Sequence, residues 1–330
     1  MPNPTPGDAH VNALLTNVSV ATLQSESDFV AGRVFPTVMV DKQSDMYVIF
    51  NAPDFNRASM TIRAPGTESP GGGYRTSTDT YNANVWSLHH DIPDQLRANA
   101  DSIYDLDRQA AEYLTIQGLI RREKEWARSF FTSGVWGTTI TGVASSPGAN
   151  QVLHWSDANS DPLKDVNDAK LAMVSRTGKL PNKMTIGYPV WAVLQNHPDI
   201  VDRIKYSGGV GPASPAIVTR AAVAALFEVD EVLVMQAIEN TANEGLAANS
   251  AFIGGKHVLL SYSPPVAGVM VPSAGYHFSW RGLVGGGNNG MRIKKFRMEH
   301  LASDRVEIDM AFDMKLVSAD LGYFFSGVVA

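Results

Sequence analysis

Apolar positions recur at helical spacing over residues 104–132, through Leu106, Ala110, Tyr113, Ile116, Ile120, Ala127 and Phe131, with Leu119, Trp126 and Phe130 widening the stripe. The pattern predicts one long helix, roughly 40 Å at 1.5 Å per residue, with Leu106, Tyr113, Ile120 and Phe131 in its buried core. Asp105 and Asp107 in the first turn and Arg128 near the last complement the helix dipole, Arg108 and Glu112 form an i, i+4 pair, and Gly134 and Gly137 release the chain. A different period appears near the end. Over residues 306–316 Val306, Ile308, Met310, Phe312, Met314 and Leu316 alternate strictly with Glu307, Asp309, Ala311, Asp313 and Lys315. This predicts a long half-buried strand with Ile308, Met310, Phe312 and Met314 in its core. Its apolar face needs a partner of comparable length, and the stripe of the long helix is the uncommitted one, so the two are expected to pack together.

Residues 35–40 and 46–50 read as strands and 84–89 as the returning strand. Between them runs DFNRASMTIRAPGTESPGGGYRTSTDTY, polar and rich in Gly, Pro, Ser and Thr, with Arg57, Arg63 and Arg75 spread along it. A two-stranded ribbon without an apolar face is marginal in water, so such an excursion is expected to lie on another surface, the alternative being a loose insertion. A short helix is predicted over 93–100, and GTTITGVASSPGANQ marks a boundary near 150. The second half alternates, with helices over 162–176, 189–196, 199–206 and 219–227 and strands over 183–187, 231–238, 256–262 and 275–280. VLVMQAI and HVLLSY are nearly continuous in apolar residues, which predicts strands covered on both faces. Residues 208–215, GGVGPASP, and 240–250 read as open loops. Residues 1–33 read as an arm that cannot order itself alone.

Composition narrows this picture. At 330 residues the chain exceeds one common core, which predicts two lobes or one lobe with long excursions. No apolar run is long enough to cross a bilayer, and MPNPTPGDAH lacks the features of a signal peptide, so cytosolic synthesis is expected and no membrane role. Zero cysteines remove disulfides and thiolate chemistry, and a net charge of -6 argues against a protein built to grip phosphate backbones.

Candidate chemistry is thin. Asp157, Asn159, Asp161, Asp165 and Asp168 fit positions of a calcium loop, but Pro162 replaces the glycine its sharp turn needs; a helix cap of Asp161 followed by Pro162 explains the same residues. His89 and His90 with Asp91 and Asp94 are adjacent in a strand and point to opposite faces. The triglycines at 71–73 and 285–287 lack a phosphate-loop setting. Without a nucleophile elbow, a base and nucleophile pairing or a phosphate loop, no catalytic, cofactor or metal residue is expected, and the chain is read as no enzyme.

Taken in order, FPTVMVDKQSDMYVIF, DLDRQAAEYLTIQGLIRREKEWARSFF, KMTIGYPVWAVLQNHPDIVDRIKY, VDEVLVMQAIENT, GKHVLLSYSPP and DMAFDMKLVSADLGYFF resemble the major capsid proteins of tailed bacteriophages, whose fold is shared with encapsulins and the herpesvirus capsid floor. The resemblance spans nearly the whole chain and rests on the order of its segments. It implies an α+β capsid fold: an N-terminal arm (1–34), an extended hairpin loop (35–92, tip about 51–84), a peripheral domain with the spine helix (93–150), an α/β axial domain (151–290) and C-terminal strands returning to the peripheral domain (291–330). It further implies self-assembly through hexamers and pentamers into an icosahedral shell around double-stranded DNA, held without sequence-specific binding. Arg57, Arg63 and Arg75 would then face carboxylates of an adjacent subunit, and Gly208, Gly209, Gly211 and Pro212, or 240–250, would lie at the capsomer axis. Implied partners are a separate scaffolding protein, because the chain starts almost directly with the arm, together with a portal and a decoration protein; the place is the virion, after assembly in the host cytoplasm. A lysine-borne cross-link from the hairpin is not expected, because its tip has no lysine. The alternatives are an encapsulin shell around a cargo enzyme and, from another class, an α/β enzyme with a mobile lid.

Overall fold

The computed structural model describes residues 24–50, 52–100, 105–207, 218–268, 270–284 and 290–330. The first described segment turns through α1 (Ala31–Val34) into β1 (Thr37–Val40), and a hairpin follows, β2 (Ser44–Phe50) and β3 (Thr76–Asn82), with α2 (Ala52–Phe55) between them. β4 (Asn84–Pro93) and α3 (Asp94–Asn99) lead to the spine, α4 (Leu106–Phe130), and then to β5 (Thr138–Val143) and β6 (Gln151–Leu153). Next come α5 (Pro162–Thr177), β7 (Lys183–Gly187), α6 (Tyr188–Leu194), α7 (Pro198–Ser207), α8 (Arg220–Phe227), β8 (Glu231–Met235), β9 (Ile238–Asn240), β10 (Ser250–Phe252) and β11 (Val258–Ser261). β12 (Gly275–Trp280), α9 (Arg281–Val284), β13 (Met291–Met298), β14 (Ser303–Leu316) and β15 (Gly322–Ser326) complete the order.

Caps set the helix starts. The Asp105 carboxylate accepts from the Arg108 amide at the head of the spine, and Asp161 accepts from the Lys164 amide ahead of Pro162 at the first position of α5. Gly178, at φ 67°, closes α5 in the left-handed conformation.

A six-stranded sheet runs β6-β5-β15-β11-β7-β8. Alternation sends Val232 and Val234, Val258 and Leu260, and Tyr323 and Phe325 to one face, against Leu163, Val166, Val190 and Val223 of the covering helices. Leu233, Met235, Leu259 and Phe324 take the other face, against Trp126 and Phe130 of the spine and Val34 and Phe35 at the end of α1. The continuous apolar runs are therefore covered on both faces, as their composition predicts. A second sheet runs β1-β12-β14-β13, with β4 on the other edge of β14. The front half of the spine lies on it: Ala110 and Leu114 join Ile92, Val306 and Ile308 in one cluster, and Gly118 lets the helix come down onto Ile308 and Met310. The expected packing of long helix on long strand is present.

Several expectations are corrected. The spine buries Ala110, Leu114, Gly118, Arg122, Trp126 and Phe130, a step of four residues, whereas Tyr113 is 37% exposed and Leu106 and Ile120 only half-buried. The stripe is displaced because a small residue, Gly118, occupies the point of closest approach, where hydrophobicity carries no signal. Phe131 is buried just past the last turn, and in the strand Ile308, Met310 and Phe312 are buried while Met314 is half-buried. The return strand of the hairpin is β3; β4, read as that return, pairs instead with β14 along Asn84 to Pro93. The Gly- and Ser-rich connector near 150 is not a boundary, since it supplies β5 and β6 to the six-stranded sheet, and β15 sits inside that same sheet rather than with β14. The strand expected over 231–238 breaks after Met235, and β9 pairs with β10. Much of the arm, residues 1–23, lies outside the described residues.

Candidate assembly surfaces

The hairpin has a fixed base and an exposed tip. Tyr81, 6% exposed, stacks on Phe278 of β12 at 4.6 Å between ring centroids and 13° between planes, and Tyr47 meets the same ring at 5.2 Å. The Asn82 amide donates to Asp313 at 2.8 Å, and the Tyr47 hydroxyl donates to Asp79 at 3.0 Å. Burial and that acceptor push the Tyr47 phenol well above its ordinary range. Beyond this base the ribbon leaves the body. Phe50, Phe55 and Tyr74 form a ring cluster at 5.1 to 6.3 Å, while Met60 and Ile62 are 97% and 102% exposed. Arg75 is held by Asp54 of its own ribbon through its amide, Nε and Nη2 at 3.0 to 3.1 Å. Arg63 donates to the Thr67 carbonyl, and Arg57 is exposed. The structure thus gathers the three arginines on one exposed ribbon, with Arg75 committed to a carboxylate of the same chain.

Of the two loops considered for a symmetry axis, Gly208, Gly209, Gly211 and Pro212 lie outside the described residues. Residues 240–250 form the tip of the β9–β10 hairpin, where the Asn240 side chain accepts from the Ala242 and Asn249 amides and Leu246 is 69% exposed.

The head of the spine carries a charge network. Asp107 accepts from Arg97 at 2.9 Å and Lys295 at 2.8 Å, and these bonds, Arg97 first, hold its carboxyl down at about 2. Arg97 also meets Asp304, Arg297 meets Asp94, and Arg305 pairs with Asp91. On the face of the sheet opposite the spine Asp309, 3% exposed, accepts from Ser87, Arg292 and Lys294. Arg292, Lys294, Lys295 and Arg297, the basic residues of β13, all face carboxylates.

Acidic residues considered for calcium are absorbed structurally: Asp161 caps α5, Asp165 accepts from the Trp155 indole at 2.9 Å and Asp168 pairs with Lys164. Among the described residues no group of three or more His, Asp and Glu side chains could hold a metal ion. One arrangement resembles a catalytic triad. Ser160 Oγ lies 3.1 Å from His197 Nε2, and Asp199 Oδ2 lies 3.9 Å from Nδ1. The bonds are wrong for catalysis: Nδ1 accepts the Asp199 amide, so the ring proton is on Nε2 and the imidazole cannot take one from serine, and Ser160 Oγ donates to the Asp157 carbonyl.

No family model matches the chain. It is 26% identical over 334 residues to the major capsid protein of Burkholderia phage BcepMu, covering 96% of each chain, and 24% identical over 317 residues to that of Pseudomonas phage JBD67, covering 94% of this chain and 96% of the relative. A phage-related protein of Bordetella bronchiseptica superposes with a TM-score of 0.67 at 20% identity, over 92% of this chain and 94% of its own. The mature capsid of bacteriophage PhiM1 does so at 0.57 and 12% identity, over 98% of both chains. The fold is that of the tailed-phage major capsid proteins. An encapsulin from Synechococcus elongatus, at 0.53 and 12% identity over 96% of this chain and 95% of its own, shares the capsid fold. Fold alone therefore does not separate phage heads from encapsulins, whereas the two end-to-end sequence relatives are both capsid proteins of phages. Sequence reasoning missed two residues that organise this capsid fold. Tyr81 clamps the ribbon, and its signal was its place after the alternating Thr76, Thr78 and Thr80. Glu123 is fully buried on the spine, and nothing in its charged neighbourhood, RREKE, marks it.

Proposed function

We propose that this chain is the major capsid subunit of a tailed phage, assembling through pentamers and hexamers into an icosahedral shell around double-stranded DNA. The observation that carries the reading is the end-to-end similarity to two phage major capsid proteins combined with the capsid fold. The ribbon supplies the contact. Its base is clamped while Met60 and Ile62 stand in solvent, and a neighbouring subunit is the surface that would cover them, with Arg57, Arg63 and the outer side of the Arg75–Asp54 pair facing its carboxylates. Modest contacts repeated around closed rings add up to a stable shell.

The enclosed DNA would be held without sequence-specific grip, because the net charge is -6 and the basic side chains of β13 are already paired. Residues 208–212 or the β9–β10 tip would meet their copies at the capsomer axis. A scaffolding protein, a portal and a decoration protein complete the partners, with assembly in the host cytoplasm before the protein resides in the virion. The test is sedimentation of the purified protein, alone and co-expressed with its neighbouring genes, with negative-stain images of the fastest fraction. Rings of five or six or megadalton shells are expected; a monomer or dimer under both conditions overturns the reading.

A further inference from the structure

β9 and β10 form a two-stranded sheet of three pairs, Ile238 to Asn240 against Ser250 to Phe252, and every residue of β10 is exposed. A ribbon this short is marginal in water on its own, so its order depends on what holds its base. The segment ahead of α1 supplies much of that hold. Ala237 is fully buried against Phe29 and Leu119, and its carbonyl accepts from the Ile253 amide at 3.0 Å. The next residue, Ile238, gives both backbone groups to one side chain: Gln24 Oε1 accepts from its N–H and Gln24 Nε2 donates to its C=O, each at 2.9 Å. The Gln236 carboxamide donates to Asp28 at 3.1 Å and accepts from Arg220 at 2.7 Å, and Lys124 of the spine pairs with Glu239 at 2.5 Å. Downstream the same segment is fixed to the spine, where the Glu123 carboxylate accepts from the Ala31 amide at 2.8 Å and the Val30 amide at 3.0 Å.

We propose that Gln24 couples the root of the arm to the β9–β10 hairpin: when residues 24–29 are seated the hairpin is ordered, and when they lift it loosens. A carboxamide carries the donor and the acceptor of a peptide group on one side chain. Two bonds to a single residue are what a neighbouring strand provides in an antiparallel ladder, on the edge where that residue turns its N–H and C=O outward. Gln24 thus acts as a third strand one residue long on the edge of β9, supplied from 214 residues away in sequence. Methionine at this position would keep the length and lose both bonds. Ile238 would then have two unpaired backbone groups at the point where β9 leaves the body, and the three pairs with β10 would have to hold alone. β7 and β11 do not share this dependence, because each is paired on both edges inside the six-stranded sheet. In the shell proposed above, the hairpin tip is one of the two loops at the capsomer axis, so the state of the arm would set how firmly that loop is held. The coupling itself lies within one chain and stands or falls apart from the capsid reading.

The test is amide hydrogen exchange in the full-length, unassembled protein, comparing the native chain with Gln24→Met and with Ala251→Pro, which breaks the hairpin from the β10 side. In Gln24→Met, protection of the Thr241, Asn249 and Ile253 amides is expected to fall about tenfold, the effect of one or two ordinary hydrogen bonds. The Ile238 amide is left out of the reading, since it loses its partner directly. In Ala251→Pro the fall is expected at the other end, at the Asp28 and Phe29 amides, which donate to Ser25 and Glu26, and by about the same factor, because a coupling is equal read from either site. Protection of β7 and β11 is expected to be unchanged in both variants. A loss confined to residues 24–29 in Gln24→Met, or an unchanged root in Ala251→Pro, overturns the coupling. A loss that spreads equally to β7 and β11 also overturns it, since the bonds would then serve the stability of the whole body.

Discussion

Replacing Gly118 with leucine tests the contact on which the two halves of the capsid fold meet. A Cβ at this position would lie 3.2 Å from Ile308 Cδ1 and 3.2 Å from Met310 Sδ, inside the ordinary contact distance of about 3.5–4.0 Å. Leucine adds four carbons where the first is already tight against two side-chain ends. In the helix itself the change is favourable by about 0.8 kcal/mol, while forcing extra carbons into a packed layer costs about 1–3 kcal/mol, so Gly118→Leu is expected to destabilise by about 0.2–2 kcal/mol. Met310→Ala empties the same spot from the strand side, where Met310 is 3% exposed, at a cost of about 2–5 kcal/mol. In the double variant the leucine occupies the vacated volume, and the loss is expected to fall short of the sum by about 1–2 kcal/mol. Urea denaturation of the unassembled protein, followed by circular dichroism and tryptophan fluorescence, reads all four corners of the cycle. Additivity within about 0.5 kcal/mol, or a single variant more stable than the native chain, would refute the close approach, because an exposed helical glycine gains stability on substitution.

Asp107→Asn should lower acid resistance: the held-down carboxyl contributes stability above the ordinary carboxylate range that is lost as pH falls through about 2, so native and variant unfolding midpoints should differ at pH 5 and converge near pH 2. Tyr81→Ala removes the stack on Phe278 and should expose the ribbon to proteolysis within residues 52–75 and lower assembly yield, while amide protection of β7, β8 and β11 stays unchanged; equal loss in that sheet would show that the clamp is not local. Charge reversal at Arg57 and Arg63 together, leaving the Arg75–Asp54 pair intact, should reduce shell yield in a co-expression assay without changing the melting temperature of the free chain, and an unchanged yield removes these two residues from the contact.

The sequence is most readable where period and burial coincide. Strict alternation marks Ile308, Met310 and Phe312, capping chemistry marks Asp161, the acidic first turn marks the head of the spine, and the apolar runs over β8 and β11 announce a doubly covered sheet. It is least readable where small or polar residues do structural work. Gly118 moves the buried stripe of the spine away from Tyr113 because closeness there depends on having no side chain. β3 is written in threonines and an aspartate, so its strand character comes from pairing with β2 rather than from burial. Glu123 and Asp309 look like surface charges and are buried, Glu123 among amide donors far away in sequence and Asp309 among donors from the strands on either side of it. The candidate assembly surface was legible as a ribbon, but not which of its arginines already has a carboxylate on its own chain.

β15 lies between β5 and β11, parallel to the first and antiparallel to the second. It is made after both of them, and until it arrives each has an unpaired edge at the centre of the sheet, with Trp155 and Phe131 lacking the rings of Phe325 and Phe324. A ribosome that stops short of Gly322 therefore releases a chain that cannot close its own body. Truncation before Gly322 is expected to act at folding, ahead of any contact between copies.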